Sequence, residues 1–123
     1  MADNANRLLH AIRQTCAIES GSNQPDLTLR QLAVLLQVYL SDEPQTVRGL
    51  ATCLNIHKSG IGRALNRLQE TDLAYREVDA QDRRSVFVGR TAQGVAMVDR
   101  LGAAMAEAAN GRGRALSEAP ADV

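Results

Sequence analysis

The sequence predicts a mainly α chain with one small β-hairpin, in the order α-α-α-α-β-β-α. Two observations carry this expectation. Between Thr46 and Glu70, two short helical patterns flank a tight break, and each has a single apolar stripe. So close a pair favours a helix-turn-helix over an independent bundle. Leu73 to Val78 and Arg84 to Gly89 then read as two short strands around an Asp/Arg-rich tip, 79–83. A hairpin placed directly after such a helix pair makes the whole a winged helix-turn-helix.

The elements follow in order. From residue 4 to about 19, Leu8, Leu9, Ile12 and Cys16 recur at helical spacing, giving an amphipathic first helix. Residues 21–25 are a loop by their turn chemistry, ending in Pro25. Thr28 precedes a strongly apolar second helix through Leu29, Leu32, Ala33, Leu35, Leu36 and Leu40, and Thr28 with Gln31 has capping-box spacing. Pro44 ends that stretch. Thr46 caps a third helix, Val47 to about Leu54, whose inner face is Val47, Leu50, Ala51 and Leu54 and which Asn55 closes in the left-handed conformation. A fourth helix covers 58–70 with Ile61, Ala64, Leu65 and Leu68 facing inward. Thr91 caps the last, along which Val95, Val98, Leu101 and Met105 recur, and Gly94 and Gly102 weaken it by roughly 1 kcal/mol each relative to Ala. Residues 1–109 are thus expected to form one winged-helix domain with terminal helices, and 110–123, rich in Gly, Arg, Ser, Pro and Ala, a disordered tail.

Composition narrows the function. Phe, Tyr and Trp make up 2% of the chain against 45% hydrophobic residues, so the core is aliphatic and no ring platform is available to stack single-stranded bases. No apolar run reaches the roughly 20 residues of a membrane span, and the first 13 residues lack a signal-peptide layout, so the expected location is cytoplasmic. Cys16 and Cys53 are far apart, without Cys or His neighbours at metal spacing, and no metal or cofactor is expected. Cys16 reads as a small packed hydrophobe, the alternative being a redox sensor. Net charge is zero, 14 basic against 14 acidic residues, yet Thr46 to Arg90 holds eight basic against five acidic. A modest basic face on a neutral protein suits readout of duplex DNA by more than charge alone.

The chemistry of that face follows from the wheel of the fourth helix. Opposite its apolar stripe stand Ser59, Arg63, Asn66 and Arg67. Arg reads a guanine edge with two hydrogen bonds, Asn an adenine edge, and Ser takes a phosphate. Lys58 and Ser59 also sit at the helix N-terminus, where free amides attract phosphate. At the hairpin tip, Asp82 is placed to orient one Arg while the other of Arg83 and Arg84 enters the minor groove. The bland alternatives are a solvated helix face and a hairpin tip carrying solubilising charge.

These residues resemble the MarR family of winged-helix regulators. The resemblance runs from about 27 to 105 and is carried by Thr46-Val47-Arg48-Gly49-Leu50-Ala51, by the run Lys58 to Leu68, and by Asp79 to Val86 with its Asp-x-Arg pattern at Asp82 and Arg84. It implies a homodimer on a pseudo-palindromic operator, with helix 58–70 in the major groove and wing 73–89 at the minor groove. The implied contacts are Lys58, Ser59, Arg63, Asn66, Arg67, Arg83 and Arg84. Dimerisation is expected through the apolar stripes of the first and last helices: Leu8, Leu9, Ile12, Val98, Leu101 and Met105. Departures from the family pattern are His57 at the cap of the fourth helix, Gly60 and Gly62 in its first turns, Asp72 in place of Gly, and Glu77-Val78 before the wing loop.

The expected function is therefore a sequence-specific, double-stranded DNA-binding transcriptional regulator. The alternative is a winged-helix interaction module that has weakened or lost DNA binding and docks on a partner protein. An enzyme is not expected: His10 and His57 have no nucleophile or carboxylate at working spacing, and there is no phosphate-cradling Gly-rich loop. No effector, small molecule or protein, is identified by the residues.

Overall fold

A computed structural model describes residues 2–21, 25–107 and 110. Its elements are α1 (Ala2–Ser20), α2 (Leu29–Leu40), β1 (Gln45–Thr46), α3 (Val47–Leu54), α4 (Lys58–Glu70), β2 (Ala74–Val78), β3 (Val86–Arg90) and α5 (Ala92–Glu107). They fall into two compact units, Leu27–Val98 and a second drawn from both ends of the chain, Met1–Asp26 with Asp99–Val123. The expected tail, apart from Asn110, lies outside the described residues.

The unit Leu27–Val98 is a winged helix. Leu35, Leu50, Ile61, Leu65, Leu68 and Leu73 are its large fully buried side chains, so the core is aliphatic, as the scarcity of aromatics requires. α4 packs against α2 and α3 and carries β2 behind it. Thr28 caps α2 with a complete capping box, its oxygen accepting from Gln31 N at 3.1 Å while Gln31 Oε1 accepts from Thr28 N at 2.9 Å. Thr46 accepts from Gly49 N at 3.0 Å, and Asn55 closes α3 at φ 54°. The inner face of α4, Ile61, Ala64, Leu65 and Leu68, is buried as its periodicity required.

The sheet has a strand that periodicity does not show. β1 pairs antiparallel with β3, Gln45 opposite Val88 and Thr46 opposite Phe87, giving the order β1-β3-β2. Two residues are too few to alternate visibly. The hairpin register runs from Ala74 opposite Arg90 to Val78 opposite Val86. The second strand therefore starts later than expected, because Arg84 and Ser85 belong to the tip, where Ser85 N donates to Asp82 O at 2.8 Å.

Other expectations on burial are corrected. In α2 the buried residues are Val34, Leu35 and Val38, while Leu29 and Leu40 are 85% and 70% exposed at the two ends of the helix. In α5 the buried positions are Gly94 and Met97, and Val95 is exposed. Gly94 is no weak point. A Cβ there would lie 2.4 Å from Cζ of Tyr39 and 2.5 Å from the Leu73 carbonyl oxygen, so the missing side chain is what admits Tyr39. The Tyr39 hydroxyl donates to Leu73 O at 2.6 Å and accepts from Thr91 N at 2.9 Å, joining α2, the start of the hairpin and the cap of α5.

In the terminal unit, Glu19 and Arg100 meet at 3.4 Å. Thr15 is buried and donates to Ala11 O at 2.7 Å. Leu8, Leu9 and Ile12 are exposed, and Leu101 and Met105 are half-buried, as is Val98 at the end of the winged-helix unit. Cys16 is exposed, not a packed hydrophobe: the buried side of α1 runs through Ala11 and Thr15 and leaves Cys16 off it.

Candidate nucleic-acid interface

α4 shows its polar side outward. Lys58, Ser59, Arg63 and Asn66 are exposed and Arg67 is half-buried. Among the described residues, Arg63 has no hydrogen-bond or ion-pair partner, so its guanidinium is available. The first turn contains no acidic residue. That leaves the partial positive charge of the helix N-terminus uncompensated by side chains, a favourable setting for phosphate.

His57 performs the capping that the family pattern gives to another residue type. Its Nδ1 accepts from Ser59 N at 3.2 Å and lies 2.9 Å from Ser59 Oγ. Ser59 is consequently turned back on the cap. Gly60, which the sequence marks as a softened turn, is buried because a Cβ would lie 2.9 Å from Ile56 Cγ2 and 3.0 Å from Arg30 Nη1. Gly62 has open space around it, and there the softening is real.

Asn66 is not a free amide. Arg76, on β2, donates from Nη2 to Asn66 Oδ1 at 2.6 Å and from Nε to Gln69 Oε1 at 3.1 Å. The left-handed closure of α4 makes this possible. Asp72 sits at φ 58°, Leu73 N donates to Leu68 O at 2.7 Å, and the chain turns straight into β2 beside the helix it has just left. Asp72 thus takes the conformation that the family pattern assigns to Gly, which Asp tolerates better than most residues.

At the wing tip, Asp82 acts first on backbone. Its Oδ1 accepts from Arg84 N at 3.1 Å, and its Oδ2 accepts from Ser85 Oγ at 3.3 Å. The side-chain pair with Arg84 is loose, 3.7 Å, with the Arg84 side chain 89% exposed. Such a pair adds little stability. It leaves the guanidinium accessible, while Arg83 is exposed beside it.

These elements enclose a groove of about 290 Å³ lined by Thr46, Val47, Arg48, Lys58, Arg76, Arg84, Ser85 and Val86. Four cationic side chains and no carboxylate face it, from the starts of α3 and α4, from β2 and from the wing. Lys58 and Arg84 were expected there from the sequence. Arg48 and Arg76 were counted only in the charge surplus, because their meeting with Lys58 depends on how the hairpin folds back. Arg30, against the first turn of α4, was missed for the same reason. Arg90 goes the other way. It donates to Val38 O at 3.1 Å and Ser41 O at 2.7 Å at the end of α2, and stands 5.6 Å from the Tyr39 ring centre, so its charge serves the fold.

The model of the MarR family matches residues 26–85, the stretch that runs from the start of α2 through α4 to the wing tip. Over that stretch the chain is similar to the MarR family, and its fold is a winged helix. Solved structures of similar fold agree. A Staphylococcus aureus MepR mutant bound to an oligodeoxyribonucleotide superposes with a TM-score of 0.73 at 21% identity, over 99% of this chain and 86% of that one. The transcriptional regulator Tm0710 of Thermotoga maritima gives 0.68 at 19% identity, over 86% and 69%. A MepR mutant from a multidrug-resistant S. aureus clinical isolate is 30% identical with a TM-score of 0.59, over 62% of this chain and 56% of that one. No curated protein matches the sequence significantly. In this MarR-like winged helix, then, the cationic groove lies between helix-turn-helix and wing.

Proposed function

We infer that this protein is a regulator of the MarR family, a sequence-specific DNA-binding transcriptional regulator. It acts as a homodimer on a pseudo-palindromic operator, with helix 58–70 in the major groove and wing 73–89 at the minor groove. The observation that carries this reading is the groove in which Arg48, Lys58, Arg76 and Arg84 converge beside the exposed face of α4. A phosphate run entering there meets positive charge from α3, α4, β2 and the wing tip, while Arg63 and Asn66 stand where base edges pass. Arg83 and Arg84 serve the minor groove, and Arg67, half-buried, holds the flank. Exposed Leu8, Leu9 and Ile12, with Val98, Leu101 and Met105, supply the apolar surface that a second copy covers. The protein has no catalytic role in this reading and works in the cytosol. Among the described residues, no helix is long and apolar enough to cross a membrane.

A partner-docking module is not favoured. The family match spans the helix-turn-helix and the wing as far as its tip, and fold relatives include a MepR mutant solved on an oligodeoxyribonucleotide. The test is selection of bound duplexes from a random pool, followed by salt titration on the enriched sequence. A palindrome is expected, with affinity falling steeply as salt rises because several phosphates are neutralised. Arg63→Ala and Arg84→Ala should each weaken binding at least about tenfold, in line with roughly 1–3 kcal/mol for a good base contact. Affinity indifferent to both substitutions and to salt would overturn the reading.

A further inference from the structure

The two hydrogen bonds from Arg76 bear on which base Asn66 can read. An asparagine free to choose its amide orientation pairs with adenine through both atoms, its oxygen accepting from N6 and its nitrogen donating to N7. Here Oδ1 lies 2.6 Å from Arg76 Nη2. The orientation is fixed by chemistry, since a guanidinium has donors only and the atom facing it must be the oxygen. Gln69 is held in the same way, its Oε1 3.1 Å from Arg76 Nε. Both amides therefore turn their NH2 groups away from the arginine.

We propose that Arg76 is a specificity-setting positioning residue: by holding the Asn66 carbonyl oxygen it makes the NH2 group the leading contact of Asn66, which then favours guanine or thymine over adenine. Guanine offers two acceptors in the major groove, N7 and O6, and thymine offers O4. Adenine needs an acceptor for its N6 amino group, and Asn66 Oδ1 already has one of its two lone pairs on Arg76, which fixes the oxygen towards β2 and leaves the NH2 as the group free to turn to a base. The same guanidinium lines the cationic groove, so one side chain ties the backbone-binding surface to the reading surface. This rests on the DNA-binding reading given above and deepens it.

The experiment is bound-duplex selection with the full chain in four forms: unsubstituted, Asn66→Ala, Arg76→Ala and Arg76→Lys. Asn66→Ala identifies the operator position that Asn66 reads. In the unsubstituted protein that position should carry guanine or thymine, preferred over adenine by about fivefold or more. Arg76→Ala should move it towards adenine, because the released amide can turn over. Arg76→Lys keeps the charge but offers one nitrogen where two amides were held. The same shift in base preference should appear, with the slope of affinity against salt unchanged. If Arg76→Ala does not fold, as judged by its melting curve, Arg76→Lys alone decides.

Adenine at the Asn66-dependent position of the unsubstituted protein overturns the proposal. So does a preference that survives both Arg76 variants while affinity drops equally for every sequence, which would make Arg76 a phosphate contact only. A profile that Asn66→Ala leaves unchanged also overturns it. Enrichment of no sequence at all by the unsubstituted protein would fail the regulator reading itself, and is told apart from the other results by that first arm.

Discussion

A few side chains that no motif would single out hold the winged helix in shape. Tyr39 is the main one. Its hydroxyl serves Leu73 O and Thr91 N together, and Thr91 Oγ1 in turn donates to Asp72 O at 2.7 Å and accepts from Gly94 N at 2.9 Å. Removing one oxygen therefore leaves a part-buried carbonyl and a part-buried amide without that partner. Tyr39→Phe should lower unfolding free energy by roughly 1–3 kcal/mol, the range for unsatisfied buried polar groups, as measured by urea titration. The glycines divide by the space around them. Gly94→Ala drives a methyl into Tyr39 and the Leu73 carbonyl, and should cost about 1–3 kcal/mol or more. Gly62→Ala meets nothing within 4 Å and should gain roughly 0.5–1 kcal/mol from helix propensity. Opposite signs at two helix glycines make a clean comparison in one set of melts.

Among the elements, the hairpin depends on its neighbours at both ends. At its start, the left-handed Asp72 and the bond from Leu73 N to Leu68 O set the direction in which β2 leaves α4. At its tip, Asp82 gathers Arg84 N and Ser85 Oγ, and Asp79 Oδ1 accepts from Gln81 N at 2.9 Å. Neither acid is committed to a close ion pair, so their effect is on backbone order rather than charge balance. Asp82→Ala should leave global stability within about 1 kcal/mol, as exposed substitutions do, while amide exchange at Arg84 and Ser85 accelerates. Unchanged exchange would show that the tip is ordered by the strands alone. The element α4 was legible because its apolar stripe and its caps agree with its packing. β1 was not, since two residues carry no period and their pairing partner lies about forty positions away.

For the whole molecule, zero net charge and a cationic groove are compatible because the charges are sorted by the fold. Arg90 is drawn off to α2 carbonyls, whereas Arg48 and Arg76, unremarkable along the chain, are brought beside Lys58 and Arg84. The proposed dimer rests on the exposed leucines of α1, since the palindromic operator proposed above needs two recognition helices held together. Leu9, 62% exposed, can be changed without opening the core. Leu9→Glu is expected to shift the protein towards monomer in sedimentation and to weaken operator binding at least about tenfold, because a buried charge opposes the interface. Dimers of undiminished affinity would place the contact elsewhere.

Local rules were enough for the helices, their caps and the exposed face of α4, because a 3.6-residue period and a capping oxygen are properties of neighbouring residues. The same rules misassigned the buried sides of α2 and α5 and the environment of Cys16, since burial is settled by what packs across and not by hydropathy alone. Only the tertiary structure decided that Gly94 is a contact and that Arg76 reaches Asn66 and Gln69. Each depends on atoms from different elements arriving within 4 Å of one another once the chain has turned back on itself, and no helical or strand period specifies that.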